Sequence, residues 1–343
     1  MARDIDYAEA IAELQRARRV ALTAHIKPDG DALGSLAALR RWLIAQGKTV
    51  TVILPTPPAN KYAFMDPEGA FKTVGRDVKL STLPPQDLVV VLDTCTWLQL
   101  QGMEPLVGHS AAPVLVIDHH RTQDALADFQ LIDPEAPATA VIVHRLLVAA
   151  GATIDAPTAM FLFVGLACDT DWFRLATVDG PTFALAAALV EAGAKPSLAY
   201  DVLYMNDDLP KMLLRGRAIE NLVSTLDGRV TVMRLSRALF REFGTDVGDT
   251  ENLITECMRV RGTQVGVMLV EADGDDIRVS LRSRPPVNVL QVAEQFGGGG
   301  HHRAAGAKLT GSMDQVEARV LEAVRRVLDE TDLAAGPRPG NGR

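Results

Sequence analysis

Cysteine is scarce in this sequence: Cys95, Cys168 and Cys257 are the only three in 343 residues, widely spaced and each set in apolar surroundings. That argues against a disulfide framework or a thiolate zinc knuckle and reads as buried thiols. No run of about 18 uninterrupted apolar residues occurs, and the N-terminal MARDIDYAEAIAELQRARR is charged where a secretory signal would be apolar. A cytoplasmic chain is the expectation. Basic charge is in deficit, with 35 Lys and Arg against 43 Asp and Glu, a net charge of −8. Proteins that wrap long nucleic acids displace counterions from many phosphates and need a basic surface. A long polyanionic partner is therefore disfavoured, and a small one is not. Aromatic residues, at 5%, are too few for a stacking channel along a single strand.

What is present is an ordinary globular composition, 48% hydrophobic and 23% charged, in a chain long enough for two domains. Apolar runs at Val20–Ala24, Thr49–Leu54, Leu88–Leu92 and Val114–Ile117 read as buried strands. Helical spacing over Leu33–Gln46, Ala138–Ala150, Ala156–Ala167 and Pro181–Ala192 alternates with or follows them. This is the pattern of an α/β domain with a parallel sheet covered on both faces. One longer helix is predicted over Leu209–Leu226, then a strand at Val230–Leu235 and a hairpin of Gln264–Glu271 with Ile277–Leu281 around Asp273-Gly274. The expected organisation is a first domain over 1–206, a helical linker over 207–228, a smaller domain over 229–332 and a frayed tail over 333–343.

Chemistry gathers where apolar runs end. Val20–Ala24 leads into His25-Ile26-Lys27-Pro28-Asp29-Gly30-Asp31, an imidazole and two carboxylates within seven residues. Asp29 or Asp31 alone could cap the following helix, but a cap needs neither two acids nor a histidine. Leu88–Leu92 ends in Asp93, which by itself could be a turn residue. Val114–Ile117 ends in Asp118-His119-His120, and Phe161–Ala167 in Cys168-Asp169-Thr170-Asp171; Asp171 reads better as an exposed cap than as a ligand. The carboxyl ends of parallel strands share one edge, where ligands bind. So many anions at one edge would repel each other without cations. Oxygen and nitrogen donors without thiolate favour Mn²⁺ or Mg²⁺, with Zn²⁺, Co²⁺ or Fe²⁺ as alternatives. Two ions about 3.5 to 4 Å apart can activate a water and hold both oxygens of a phosphoryl displacement. A fifth feature lies downstream, in Phe296-Gly297-Gly298-Gly299-Gly300-His301-His302-Arg303. Consecutive glycines leave backbone N–H groups free to meet an anion, and His301, His302, Arg303 and the upstream Arg282 could add donors.

These residues resemble the DHH phosphoesterase superfamily, which takes its name from the triplet found here as Asp118-His119-His120. GGGGHHRAAG resembles its C-terminal DHHA1 domain, and the two-domain length is similar to the nanoRNase group. The resemblance covers nearly the whole chain. It implies a parallel-sheet DHH domain joined by a helical linker to a smaller α/β DHHA1 domain, with a cleft between them. It implies that His25 and Asp29 hold one metal, Asp31 and His119 the other, that Asp93 bridges them and that Asp169 completes the set. His120 would then face the substrate phosphate, and Asp118 would orient the histidines. Arg282, Gly298, Gly299, Gly300 and His301 would bind the nucleotide. Two departures stand out: Asp171 occupies a position where the family usually has glycine, and His302 follows His301.

The function so implied is hydrolysis of short oligoribonucleotides, linear dinucleotides among them, and of 3′-phosphoadenosine 5′-phosphate, with two divalent ions, Mn²⁺ foremost. No membrane partner is expected, and a homodimer is admitted. The alternatives are another phosphohydrolase of the superfamily, such as a cyclic dinucleotide phosphodiesterase or a single-strand exonuclease, and a noncatalytic nucleotide sensor. An inorganic pyrophosphatase would share only the N-terminal half, and GGGGHHRAAG argues against it.

Overall fold

The computed structural model describes residues 2–272 and 274–335, and the chain divides into two compact units after Asn206. In the first unit the order is β1 (Arg3–Asp4), α1 (Tyr7–Arg16), β2 (Arg19–Ala24), α2 (Gly30–Ala45), β3 (Thr49–Leu54), β4 (Phe71–Thr73), β5 (Leu88–Leu92), α3 (Glu104–Val107), β6 (Val114–Asp118), β7 (Phe129–Ile132), α4 (Thr139–Ala149), α5 (Ala156–Asp169), α6 (Gly180–Glu191) and α7 (Pro196–Tyr204). The strands form one parallel sheet in the order β1-β7-β6-β5-β2-β3-β4. Successive side chains alternate between two apolar layers. Val20, Leu22 and Ala24 pack with Leu14, Leu36, Ile142 and Leu162, whereas Ala21, Val89 and Val91 face Leu106 and Val107. Covering both faces is what makes these strands read as continuous apolar runs.

The winding positions the site. β2 lies between β3 and β5; the chain leaves β2 toward β3 and β4, then returns on the other side to β5, β6 and β7. The carboxyl ends of β2 and β5 therefore flank the reversal of winding, where an open α/β sheet leaves a crevice. His25 follows β2 and Asp93 follows β5. Over them α2 and α5 pack backbone to backbone, because a Cβ on Gly34 would stand 2.3 Å from the Phe161 carbonyl oxygen.

The second unit runs α8 (Leu209–Glu220), β8 (Val223–Thr225), β9 (Val230–Leu235), α9 (Arg237–Phe243), α10 (Ile254–Arg259), β10 (Val265–Glu271), β11 (Asp276–Ser283), α11 (Leu290–Glu294), β12 (Gly299–His301), β13 (Ala304–Thr310) and α12 (Met313–Ala335). Its sheet has the order β12-β13-β11-β10-β9-β8, antiparallel except where β9 meets β10. One face packs on α11 and α12, whose Val316, Val320, Val324, Val327 and Leu328 recur at helical spacing. The other buries Met233, Leu235, Met268 and Val270 under α8, α9 and α10.

Three expectations change here. The helix expected over Leu209–Leu226 ends at Glu220, and Val223–Thr225 pairs with β9. The segment expected as a linker belongs to the second core through Leu214 and Ala218. Residues 333–335 of the expected tail extend α12, and residues 336–343 lie outside the described residues, as does Asp273 of the expected turn. Among the described residues no helix is long and apolar enough to cross a membrane.

Replacing Gly34 by Val should force α2 from α5 and cost about 1–3 kcal/mol. The check is the urea midpoint of unfolding, which should fall; an unchanged midpoint would show that the two backbones do not need this approach.

Candidate metal centre

The His25 ring is oriented by its own backbone. Its Nδ1 lies 2.8 Å from the Ile26 carbonyl oxygen, an acceptor, so in the neutral ring Nδ1 carries the proton and Nε2 a lone pair. Nε2 faces Asp93 Oδ2 at 3.4 Å and Asp29 Oδ1 at 3.9 Å. His119 repeats the arrangement: Nδ1 is 3.1 Å from the Ala136 carbonyl oxygen, and Nε2 faces Asp169 Oδ2 at 3.2 Å and Asp93 Oδ1 at 3.7 Å. That Nε2 is buried and has no hydrogen-bond partner. A lone pair aimed at carboxylate oxygens is repelled unless a proton or a metal lies between them; at His119 no hydrogen bond fills that place, so the donor set fits a metal. His25, Asp29 and Asp93 form one compact group of ligand atoms, and Asp31, His119 and Asp169 a second.

Each acid is held by the fold. Asp29 caps α2, its Oδ1 accepting from the Asp31 and Ala32 N–H groups. Asp31 is fully buried and accepts from Thr139 N at 2.6 Å and Ala140 N at 2.8 Å at the start of α4. Asp93 accepts from the Thr139 hydroxyl at 2.9 Å and sits at φ +63, a left-handed conformation that Asp tolerates better than most residues. Asp118, wholly buried, accepts at Oδ1 from the backbone of His119 and His120 and lies 2.8 Å from His120 Nδ1.

Crowding registers in the titration of these groups. Burial, reinforced by the charges of Asp93 and Asp169, pushes Asp31 well above the ordinary carboxylate range. Burial and the Asp93 charge raise Asp169 to about 7. Burial opposes charging of His25, but hydrogen bonds to Asp29 and Asp93 outweigh it and raise the ring to about 11. The hydrogen bond to Asp118 raises His120 to about 9. Cys168 is pushed up to about 12, chiefly by burial, which keeps it a thiol and leaves the donors to oxygen and nitrogen.

In the second unit, Arg282 on β11 pairs in register with Ala304 on β13, which pairs with His301 on β12. Partners across antiparallel strands share a face, so Arg282 and His301 flank Ala304 on one side of the sheet. The glycine run departs from the expected free loop: Gly299–His301 is an edge strand. Close approach requires glycine just before it and within it, since a Cβ on Gly298 would stand 2.1 Å from the Gly306 carbonyl oxygen and one on Gly300 2.4 Å from that of Ala304. The backbone carbonyls of His302 and Arg303 accept from Val289 and Ser283 N–H groups, tying this segment to the rest of the unit, while both residues are exposed.

Comparison with known proteins agrees with this division. The DHH family N-terminal domain matches residues 19–166 and the DHHA1 domain residues 227–330. The chain is 30% identical over 308 residues to the bifunctional oligoribonuclease and PAP phosphatase NrnA of Thermus thermophilus, covering 90% of this chain and 89% of that one. It belongs to the DHH family. The Bacillus subtilis NrnA is 25% identical over 91% of this chain and 95% of its own. An exopolyphosphatase-related protein from Bacteroides fragilis shares the fold with a TM-score of 0.90 at 22% identity, over 95% of this chain and 97% of that one. Exonuclease RecJ bound to manganese has a TM-score of 0.59 at 15% identity, covering 96% of each chain. As a DHH-family protein the chain is a hydrolase of phosphoester bonds.

Within this DHH-family site the structure gathers His25, Asp29, Asp31, Asp93, Asp118, His119, His120 and Asp169. Asp169 arrives at the end of helix α5, the helix that the spacing over Ala156–Ala167 predicts. Asp171 is exposed, paired with Arg174 and outside the ligand groups. It opens three successive left-handed residues, Asp171, Trp172 and Phe173, at φ +49, +54 and +63, which explains why glycine suits that position. Sequence reasoning missed Thr139, whose hydroxyl holds Asp93 and whose N–H holds Asp31; its one signal was its place at the start of an apolar helix.

Thr139→Val keeps the N–H and removes the hydroxyl, and should weaken Mn²⁺ binding by about 10- to 100-fold, read by isothermal titration. A pH effect follows as well. Asp169 is raised from 3.8 to about 7 and His25 from 6.5 to about 11. Each therefore contributes stability that is lost as pH climbs from its ordinary to its raised value. The metal-free protein should melt at lower temperature at pH 8 than at pH 5, and saturating Mn²⁺ should raise the melting temperature more at pH 8; equal gains would contradict the charge assignment.

Proposed function

We propose that this DHH-family chain uses two divalent ions, Mn²⁺ foremost, to hydrolyse short oligoribonucleotides and 3′-phosphoadenosine 5′-phosphate. Asp93 carries the reading: its two oxygens face different imidazoles, His25 at 3.4 Å and His119 at 3.7 Å, as a bridging carboxylate would. In this reading His25 and Asp29 hold one ion, Asp31 and His119 the other, and Asp169 completes the set. Bound ions supply activation of water and neutralisation of the charge developing on the phosphoryl group. The first unit carries this chemistry. The substrate class follows the relatives, which are bifunctional oligoribonucleases and PAP phosphatases.

The chain's own groups divide the remaining work. Asp118 accepts from His120 Nδ1 and keeps that ring protonated, so Nε2–H is free to donate to a phosphoryl oxygen. Thr139 fixes the Asp93 carboxylate. In the second unit, Arg282, His301 and the glycine strand offer donors on or beside one face for the nucleotide, which gives that unit the choice of substrate.

Asp93→Ala should reduce turnover by at least about 100- to 1,000-fold, and Arg282→Ala should act mainly through KM. The test is manganese-dependent turnover of a dinucleotide, 3′-phosphoadenosine 5′-phosphate and a 20-mer side by side. The first two should be consumed and the 20-mer slowly at best; full activity of the Asp93 variant would end the bridging assignment.

A further inference from the structure

β11 separates two regions of one sheet face. Arg278, Ser280 and Arg282 alternate onto the side away from the buried Ile277, Val279 and Leu281. On one flank their register partners on β10, Val270 and Met268, lie beneath the helices with Gly266 in line. On the other flank they face Lys308, Gly306 and Ala304 of β13, followed by Gly299 and His301 of β12. This second flank is nearly bare of large side chains around Gly306, Ala304 and Gly299. The result is a small-residue floor with an arginine in line with each end.

Both arginines are partly buried, and burial alone lowers their pKa values. No carboxylate among the described residues pairs with either, although most partly exposed arginines of the chain have one. Arg278 is pinned through Nη2 to the Thr250 hydroxyl, and its buried Nε has no hydrogen-bond partner. Arg282 donates from Nη1 to the Leu281 carbonyl at 3.1 Å. Partly desolvated guanidinium groups without anions are costly unless a ligand supplies them. Four residues of strand separate the two Cα atoms by about 13 Å, and each head is tethered near its own end, which favours different phosphates over a shared one.

We infer that Arg278 is a distal phosphate anchor on this face, so that Arg282 and Arg278 contact successive parts of one oligonucleotide and the face measures substrate length. This rests on the reading that the second unit binds substrate. Arg278 positions ligand and takes no part in the reaction.

The test is steady-state kinetics of the full chain with Mn²⁺ on a 5′-phosphorylated dinucleotide and tetranucleotide across a range of salt. Loss of a charged hydrogen bond is worth about tenfold or more, so Arg278→Gln should lower kcat/KM on the tetranucleotide by that factor, several times the loss on the dinucleotide. The slope of log KM against log salt for the tetranucleotide should shrink by about 0.7, as for one phosphate contact on a single strand. Arg278→Lys, which keeps the charge without the two-pronged fork, should show a smaller loss in the same direction and carries the test if the Gln variant does not fold. Arg326→Gln, an exposed change on α12, serves as the control. Equal losses at both lengths, or an unchanged salt slope, would make Arg278 a structural arginine and overturn the inference. An Arg282→Ala variant with unaltered KM on both substrates would instead overturn the assignment of substrate binding to this unit.

Discussion

Repulsion among Asp29, Asp31, Asp93 and Asp169 is the constraint around which the first unit is arranged. Four carboxylates in one crevice cannot all ionise cheaply in a partly buried setting, and the raised Asp31 and Asp169 record that cost. The fold offsets part of it. Asp29 accepts from N–H groups opening α2, and Asp31 from those opening α4, where helix dipoles favour negative charge. The remainder is left for cations. Because the acids are already oriented by backbone donors, cations meet a site that needs little rearrangement.

Orientation of the imidazoles follows the same logic. Backbone carbonyls at Ile26 and Ala136 take the Nδ1 protons, which fixes the tautomer that leaves Nε2 for a metal. His120 differs in one contact. Its Nδ1 meets the Asp118 carboxylate, which favours the charged ring; in the proposed reading this makes it a proton donor where its neighbour in the triplet is a ligand. The two rings of one sequence triplet differ because their Nδ1 atoms have different acceptors, a backbone carbonyl for His119 and a carboxylate for His120.

Much of this could be read from residue order. Fully covered parallel strands are continuous apolar runs, so β2, β3, β5 and β6 were legible, and with them His25, Asp93 and Asp118-His119-His120 at their ends. Asp169 was recognised by its interruption of an apolar run whose spacing over Ala156–Ala167 already read as helical. The run was helix α5, held against α2 by the contact at Gly34. Thr139 was illegible because a threonine opening a helix looks like any other, and only the fold brings it beneath Asp31 and Asp93. The join at 220–225 was missed because Val223–Thr225 is short and pairs with a strand that follows it, a tertiary preference that overrides local helical spacing. The glycine run read as free N–H groups for an anion, whereas the fold makes it an edge strand packed closely on Gly306, a partner that only the strand register names.

The acidic surplus and the arginines of the second unit act on different length scales. A net charge of −8 repels any polyanion at long range, but that field is screened over about 8 Å at physiological ionic strength. A contact made within that distance is governed by local groups. Arg278 and Arg282 are partly desolvated and have no carboxylate partner among the described residues, so an anion reaching them would meet positive charge that is not neutralised in advance. On the inference drawn above, discrimination by length would come from how many of these local contacts a substrate reaches, not from the charge of the whole chain.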